Sequence, residues 1–138
     1  MTARILIVED EMIVAMEMEA VIEDLGFEPI GIAADQRQAR ELAELKPDLA
    51  LVDLNLRDGM TGPQIGRDLA ARGIQVVFVT ANPRSVALGV PGALGVVEKP
   101  VDDGTIASII AFAIAKREGR NVMPPPGFVS FSGDLAAR

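Results

Sequence analysis

Neither cysteine nor histidine occurs in this sequence, and tyrosine and tryptophan are missing as well. Without cysteine there is no disulfide framework, no thiolate metal site and no thiol nucleophile, and redox chemistry fixes no compartment. Without histidine there is no serine-histidine triad, no imidazole base or metal ligand, and no phosphohistidine. Any chemistry falls to carboxylates, lysine, threonine and serine. Positive charge is also scarce: 13 Lys and Arg against 20 Asp and Glu leave a net charge of −7, which opposes phosphate backbones and anionic membranes. Partners are therefore expected to be proteins, with no direct nucleic-acid contact. Long apolar runs are lacking too. The N-terminal run that ends at Val8 is too short for a signal-peptide core, and nothing approaches the roughly 18 apolar residues of a membrane span. The expectation is a cytoplasmic protein without membrane insertion.

The 138 residues suit one domain with a real core. Short β-branched or leucine-rich runs, Ile5 to Val8, Pro29 to Ile32, Leu49 to Asp53, Val76 to Thr80 and Leu94 to Val97, alternate with amphipathic stretches, the pattern of βα repeats closing a parallel sheet. Val14, Met18, Val21, Ile22 and Leu25 fall at helical spacing before Gly26. Ala39, Leu42 and Ala43 mark a second helix within 36–46. Thr61, Gly62 and Pro63 open a third that buries Ile65 and Leu69 and ends at Gly73. Ile106, Ile109, Ile110, Ala113 and Ile114 define a last helix, with Asp102 and Asp103 at its start and Lys116 and Arg117 at its end. Between Asn82 and Gly95, two prolines and several glycines predict a short or distorted fourth helix. The domain is read as 1–118. Residues 119–138, with three consecutive prolines, read as a tail in which Phe128, Val129 and Phe131 either dock on the domain or stay disordered. Met12, Met16 and Met18 read as core and gap-filling side chains.

In a doubly wound α/β sheet, functional residues gather at the carboxyl ends of the strands, where strand order reverses. Glu9 and Asp10 follow the first strand, Asp53 ends the third, Thr80 ends the fourth, and Lys99 with Pro100 follows the fifth. With strand order 2-1-3-4-5, Glu9, Asp10 and Asp53 converge on one crevice and repel one another unless a cation intervenes. Magnesium, which takes few carboxylates, several waters and a phosphate oxygen, suits this group, and the Asn55 carbonyl offers one more oxygen. Asp53 is the positioned carboxylate nucleophile toward phosphorus. Mg²⁺, Lys99 and Thr80 would share the charge that phosphoryl transfer spreads over the equatorial oxygens.

In combination these residues resemble the receiver domains of bacterial two-component response regulators. The family's acidic pair, aspartate, threonine or serine, and Lys-Pro stand here as Glu9-Asp10, Asp53, Thr80 and Lys99-Pro100, and the likeness covers about residues 3 to 118. The resemblance implies a flavodoxin-like fold and phosphorylation of Asp53 by a sensor histidine kinase or histidine phosphotransfer protein. It implies Mg²⁺ held by Glu9 or Asp10 with Asp53 and the Asn55 carbonyl, and output through the face made by the fourth helix, fifth strand and last helix. With no room for a further DNA-binding domain, the chain reads as a stand-alone regulator that binds a protein partner when phosphorylated. It would catalyse only its own phosphorylation and dephosphorylation, and homodimerisation is left open. A phosphorelay intermediate, a phosphate sink and a phosphorylation-independent binding module are the alternatives.

Two positions depart from the family pattern. Most receivers carry Tyr or Phe three residues before the lysine, where this chain has Val96. The loop after Asp53, LNLRDGMTG, has Arg57 where proline is common and its glycine one residue late. The run VVFVTANP is similar to receivers with Phe two residues before the threonine, some of which serve general stress responses in alphaproteobacteria. An aspartate-nucleophile phosphatase would want a DxDx pattern after the first strand, and a flavin binder a phosphate-cradling glycine loop; neither is present.

Overall fold

In the computed structural model, which describes residues 2–131, the five apolar runs form β1 (Arg4–Val8), β2 (Glu28–Ala33), β3 (Leu49–Val52), β4 (Gln75–Thr80) and β5 (Gly95–Glu98). They are parallel and lie in the order β2-β1-β3-β4-β5, the expected doubly wound arrangement. The central strands are buried on both faces, which is why β1 and β3 read as continuous apolar runs rather than as alternating ones.

Period-two geometry divides those runs between two cores. Ile5, Ile7, Leu51, Val77 and Val79 face α1 (Met12–Asp24) and α4 (Asp103–Arg117), meeting Met18, Ile22, Ile106, Ile109 and Ile110. Leu6, Val8, Val52, Val76 and Phe78 face α2 (Gln36–Ala43) and α3 (Gly62–Ala71), meeting Ala39, Ala43, Ile65 and Leu69. Asp35 caps α2 by accepting from Gln38 N–H at 2.9 Å, and Asp102 caps α4 by accepting from Thr105 N–H at 2.7 Å. Lys116 and Arg117 lie in the last turn of α4, where the helix dipole favours cations.

Of three further features, the short helix after β4 meets the sequence expectation and the other two do not follow from it. The segment after β4 holds only a single 3₁₀ turn, Pro83–Val86, because its prolines and glycines supply neither the donors nor the stiffness of a longer helix. Met12 and Met16 are not core: they are 52% and 55% exposed, one turn apart and turned away from the face that buries Ala15, Met18 and Ile22, and only Met18 of the three is buried. The fold does not stop at residue 118, because the tail takes part in it. Phe128–Ser130 form a sixth strand, β6, antiparallel to β5, so the five expected parallel strands sit in a six-stranded sheet. The tail's end, residues 132–138, lies outside the described residues.

Candidate functional site

The parallel register brings the strand ends to one level. Val8 pairs with Val52, Val52 with Phe78 and Thr80 with Glu98, so the residues that follow β1, β3 and β5 emerge side by side at the carboxyl edge. Backbone bonds carry the strand pattern one step further: Asp53 N–H donates to Val8 O at 2.9 Å, Glu9 N–H to Ala33 O at 2.8 Å, and Lys99 N–H to Thr80 O at 2.8 Å. Each candidate side chain is thus fixed at its root by the sheet.

Oxygens of Glu9, Asp10 and Asp53 lie within 4.8 Å of one another. Glu9 and Asp53 are buried, whereas Asp10 is exposed. The Lys99 ammonium reaches between the two buried acids, donating to Glu9 Oε1 at 2.5 Å and to Asp53 Oδ2 at 2.8 Å. The second oxygens are also engaged: Glu9 Oε2 accepts from Glu11 N–H at 3.1 Å and Asp53 Oδ1 from Leu54 N–H at 2.7 Å. Burial raises the Glu9 carboxyl above its usual range, against the opposing pull of Lys99 and the Glu11 amide. Burial acts to lower the Lys99 ammonium, but its bonds to Asp53 and Glu9 outweigh that and hold it above the ordinary lysine value. Lys99 therefore stays charged.

Thr80 is buried at the end of β4, and its hydroxyl oxygen accepts from Asn82 N–H at 3.1 Å, which leaves its proton free to donate. Asn55 is exposed in the loop after β3. That loop is held down from two sides. Arg57 N–H donates to Ala34 O at 3.1 Å and its guanidinium pairs with Asp35, while Asp58 accepts from Gln36 N–H at 3.1 Å and from the Thr61 hydroxyl at 2.6 Å. On the far side, Gly62 lets α3 start directly beneath Asp53: a Cβ there would stand 2.2 Å from Asp53 O and 2.4 Å from Leu54 Cα. The sequence marked Gly62 as a helix opener; its close approach to the Asp53 backbone appears only in three dimensions.

Val96 and Pro100 complete the predicted set. Pro100 is exposed beside Lys99, and Val96 is buried in the core shared with Phe78 and Phe131, remote from solvent. The aromatic ring that Val96 lacks is supplied to that core by Phe131 of the tail, whose centroid lies 6.0 Å from that of Phe78. The signal for it in the sequence was the apolar Phe128-Val129-Ser130-Phe131 run. All the predicted acids, Thr80 and Lys99 come to one crevice.

The donor set is all oxygen, two buried acids and one exposed acid, with a neighbouring fixed cation; that chemistry fits a hard divalent ion plus an anionic substrate.

Comparison with known proteins matches residues 5–111 to the response regulator receiver domain. The chain is 34% identical over 118 residues to the phyllosphere-induced regulator PhyR of Methylorubrum extorquens, an alignment that covers 83% of this chain and 44% of that protein. The crystal structure of the response regulator PhyR from Brucella abortus superposes with a TM-score of 0.77 at 31% identity, covering 86% of this chain and 50% of that one. The solution structure of the receiver domain of Erythrobacter litoralis PhyR gives a TM-score of 0.74 at 29% identity and covers 90% of this chain and 96% of that one. The chain thus spans about half the length of the full-length relatives it matches. Among the described residues, no helix is long and apolar enough to cross a membrane.

Proposed function

The chain belongs to the response regulator receiver family, and from that premise we propose that it accepts a phosphoryl group on Asp53 from a sensor histidine kinase or histidine phosphotransfer protein and signals by phosphorylation-dependent protein binding. The observation that carries this reading is the buried Asp53 carboxylate held at 2.8 Å by the Lys99 ammonium within an acidic cluster. A carboxylate oxygen of Asp53 forms the new P–O bond while the P–N bond to the donor imidazole breaks and the imidazole leaves with the electron pair. Glu9, Asp10, Asp53 and the Asn55 carbonyl are the groups that would hold Mg²⁺, which supplies charge neutralisation to the phosphoryl oxygens. Lys99 meets one oxygen of the transferred group. Thr80 turns its free hydroxyl proton to another, since its bond with Asn82 N–H uses only the oxygen's lone pair. The protein transforms no external substrate. On this reading the protein works in the cytoplasm, and its membership in the receiver family together with the lack, among the described residues, of a helix long and apolar enough to cross a membrane is consistent with that.

Intact mass after incubation with acetyl phosphate and Mg²⁺ tests the proposal. The expected result is a gain of about 80 Da, one phosphoryl group, that is lost in Asp53→Asn and under a chelator. An unmodified mass with both acetyl phosphate and a phosphorylated histidine kinase would overturn it and leave a phosphorylation-independent binding module.

A further inference from the structure

The loop between Asp53 and α3 is a small hairpin whose geometry decides where one backbone oxygen of the site points. Leu54 and Leu56, both buried, root it in the core on either side of the exposed Asn55. The Asn55 carbonyl and the Leu56 N–H belong to one planar trans peptide and face opposite ways, so whatever holds the amide aims the carbonyl. Leu56 N–H donates to Gly59 O at 2.8 Å and Gly59 N–H returns to Leu56 O at 3.0 Å, with a φ of +107° at Gly59 permitting the tight reversal. The Asn55 carbonyl is therefore aimed by a turn whose tip is Arg57-Asp58.

That tip is fastened to the turn between β2 and α2. Arg57 N–H donates to Ala34 O at 3.1 Å, its guanidinium pairs with Asp35 at 2.5 Å, and Asp58 accepts from Gln36 N–H at 3.1 Å. The anchor is itself rigid: Asp35 accepts from Gln38 N–H at 2.9 Å as the cap of α2, and Gln38 Oε1 accepts from Ala34 N–H at 2.8 Å. Asp35, through its hydrogen bond, and then the charges of Asp58 and Asp10 hold the guanidinium above the ordinary arginine value, so Arg57 also stands within Coulomb reach of an acid of the site. Arg57 and Gly59 are the two positions at which this loop departs from the family pattern, and both belong to this device.

On the reading that Glu9, Asp10, Asp53 and the Asn55 carbonyl hold the metal, we infer that the Arg57–Asp35 pair is a positioning clamp for that carbonyl and makes the site selective for Mg²⁺ over Ca²⁺. Mg²⁺ demands near-ideal octahedral geometry, whereas Ca²⁺ accepts a looser and larger set of oxygens, so a carbonyl that wanders costs Mg²⁺ more. Charge acts differently. Both ions are divalent, and loss of the Arg57 cation by itself would strengthen the binding of both alike.

Amide NMR titration of the full chain with Mg²⁺ alone and with Ca²⁺ alone tests the clamp in the unaltered protein, Arg57→Gln, Asp35→Asn and the double variant. Asparagine at position 35 retains an oxygen for the α2 cap, and melting followed by circular dichroism checks that each variant is folded. Each single variant should weaken Mg²⁺ binding about tenfold, the range for a lost support of a metal ligand, and Ca²⁺ binding by less. The double variant should be no weaker than either single, because the two changes break one interaction. Mg²⁺ binding by Arg57→Gln as tight as or tighter than that of the unaltered chain, or equal losses for the two ions, would overturn the clamp and leave the metal site standing. Failure of the unaltered chain to bind either ion, or undiminished Mg²⁺ binding by Asp53→Asn, would overturn the metal site and the clamp with it.

Discussion

Lys99 sets the electrostatics of the crevice, since its ammonium is the only cation in contact with two buried carboxylates among the described residues. Replacing it with methionine leaves Glu9, 2% exposed, without its counter-charge, and an unpaired buried charge costs on the order of 3 kcal/mol. Urea unfolding of Lys99→Met should show that loss at neutral pH. Glu9 already has its carboxyl raised by burial, so its folded value lies above its unfolded one, and protonation relieves the penalty as pH falls through the folded value. The deficit of the variant should therefore shrink in mild acid, at a higher pH than for a carboxylate whose folded value is depressed. With no Trp or Tyr in the chain, circular dichroism is the natural probe. The identities of Glu9, Asp53, Thr80 and Lys99 were legible in the sequence because each follows a strand whose end is fixed by a local apolar run. That Lys99 joins Glu9 to Asp53 was not legible, since it depends on spacing between β1, β3 and β5 that no local pattern encodes.

At the scale of elements, α2 and α4 both begin on an aspartate cap, and both caps titrate low: Arg57 and the Gln38 amide hold Asp35 down, and the Thr105 amide holds Asp102 down. A depressed folded value means stability that is complete above the ordinary aspartate range and lost as pH falls through the folded value. Asp102→Ala should lower the melting temperature at neutral pH by a few degrees, about what a lost cap brings. The gap from the unaltered chain should close in strong acid, and melting followed across pH checks both. Helices α2, α3 and α4 were readable because their caps and stops are local. In α1 the same reasoning overreached: Met12 and Met16 share the apolar character of Met18, but they lie off the helix face that carries Ala15, Met18 and Ile22 into the core. The 3₁₀ turn in place of the fourth helix was foreshadowed by Pro83, Gly89, Pro91 and Gly92, residues whose effect on a helix needs no tertiary context.

For the whole molecule, the tail is the part that sequence reasoning left open, because a short run such as Phe128-Val129-Ser130-Phe131 fits a docked strand and a solvated arm equally well. The deciding residue lay elsewhere, in the bare Cα of Gly95, where a Cβ would stand 2.3 Å from Val129 O. Phe131, 7% exposed, fills the core beside Phe78. Phe131→Ala should cost about 3 kcal/mol in chemical denaturation, the range for emptying a buried aromatic site. The loss should exceed that of Val129→Ala, whose side chain is largely in solvent.

The two ends of the sheet also bear on how this protein behaves in a crowded solution. At one end, β2 carries Pro29, which offers no amide hydrogen, and its pairing with β1 slips between Ile5 and Leu6, so the rim is poorly matched to another strand. At the other end, bare β5 would present the apolar run Gly95-Val96-Val97 with its hydrogen-bonding groups open to any similar rim. Covering it with a strand of only three residues leaves a rim too short to template growth. The tail thereby protects colloidal stability: a molecule stripped of it would be the one to seed sheet-to-sheet precipitation.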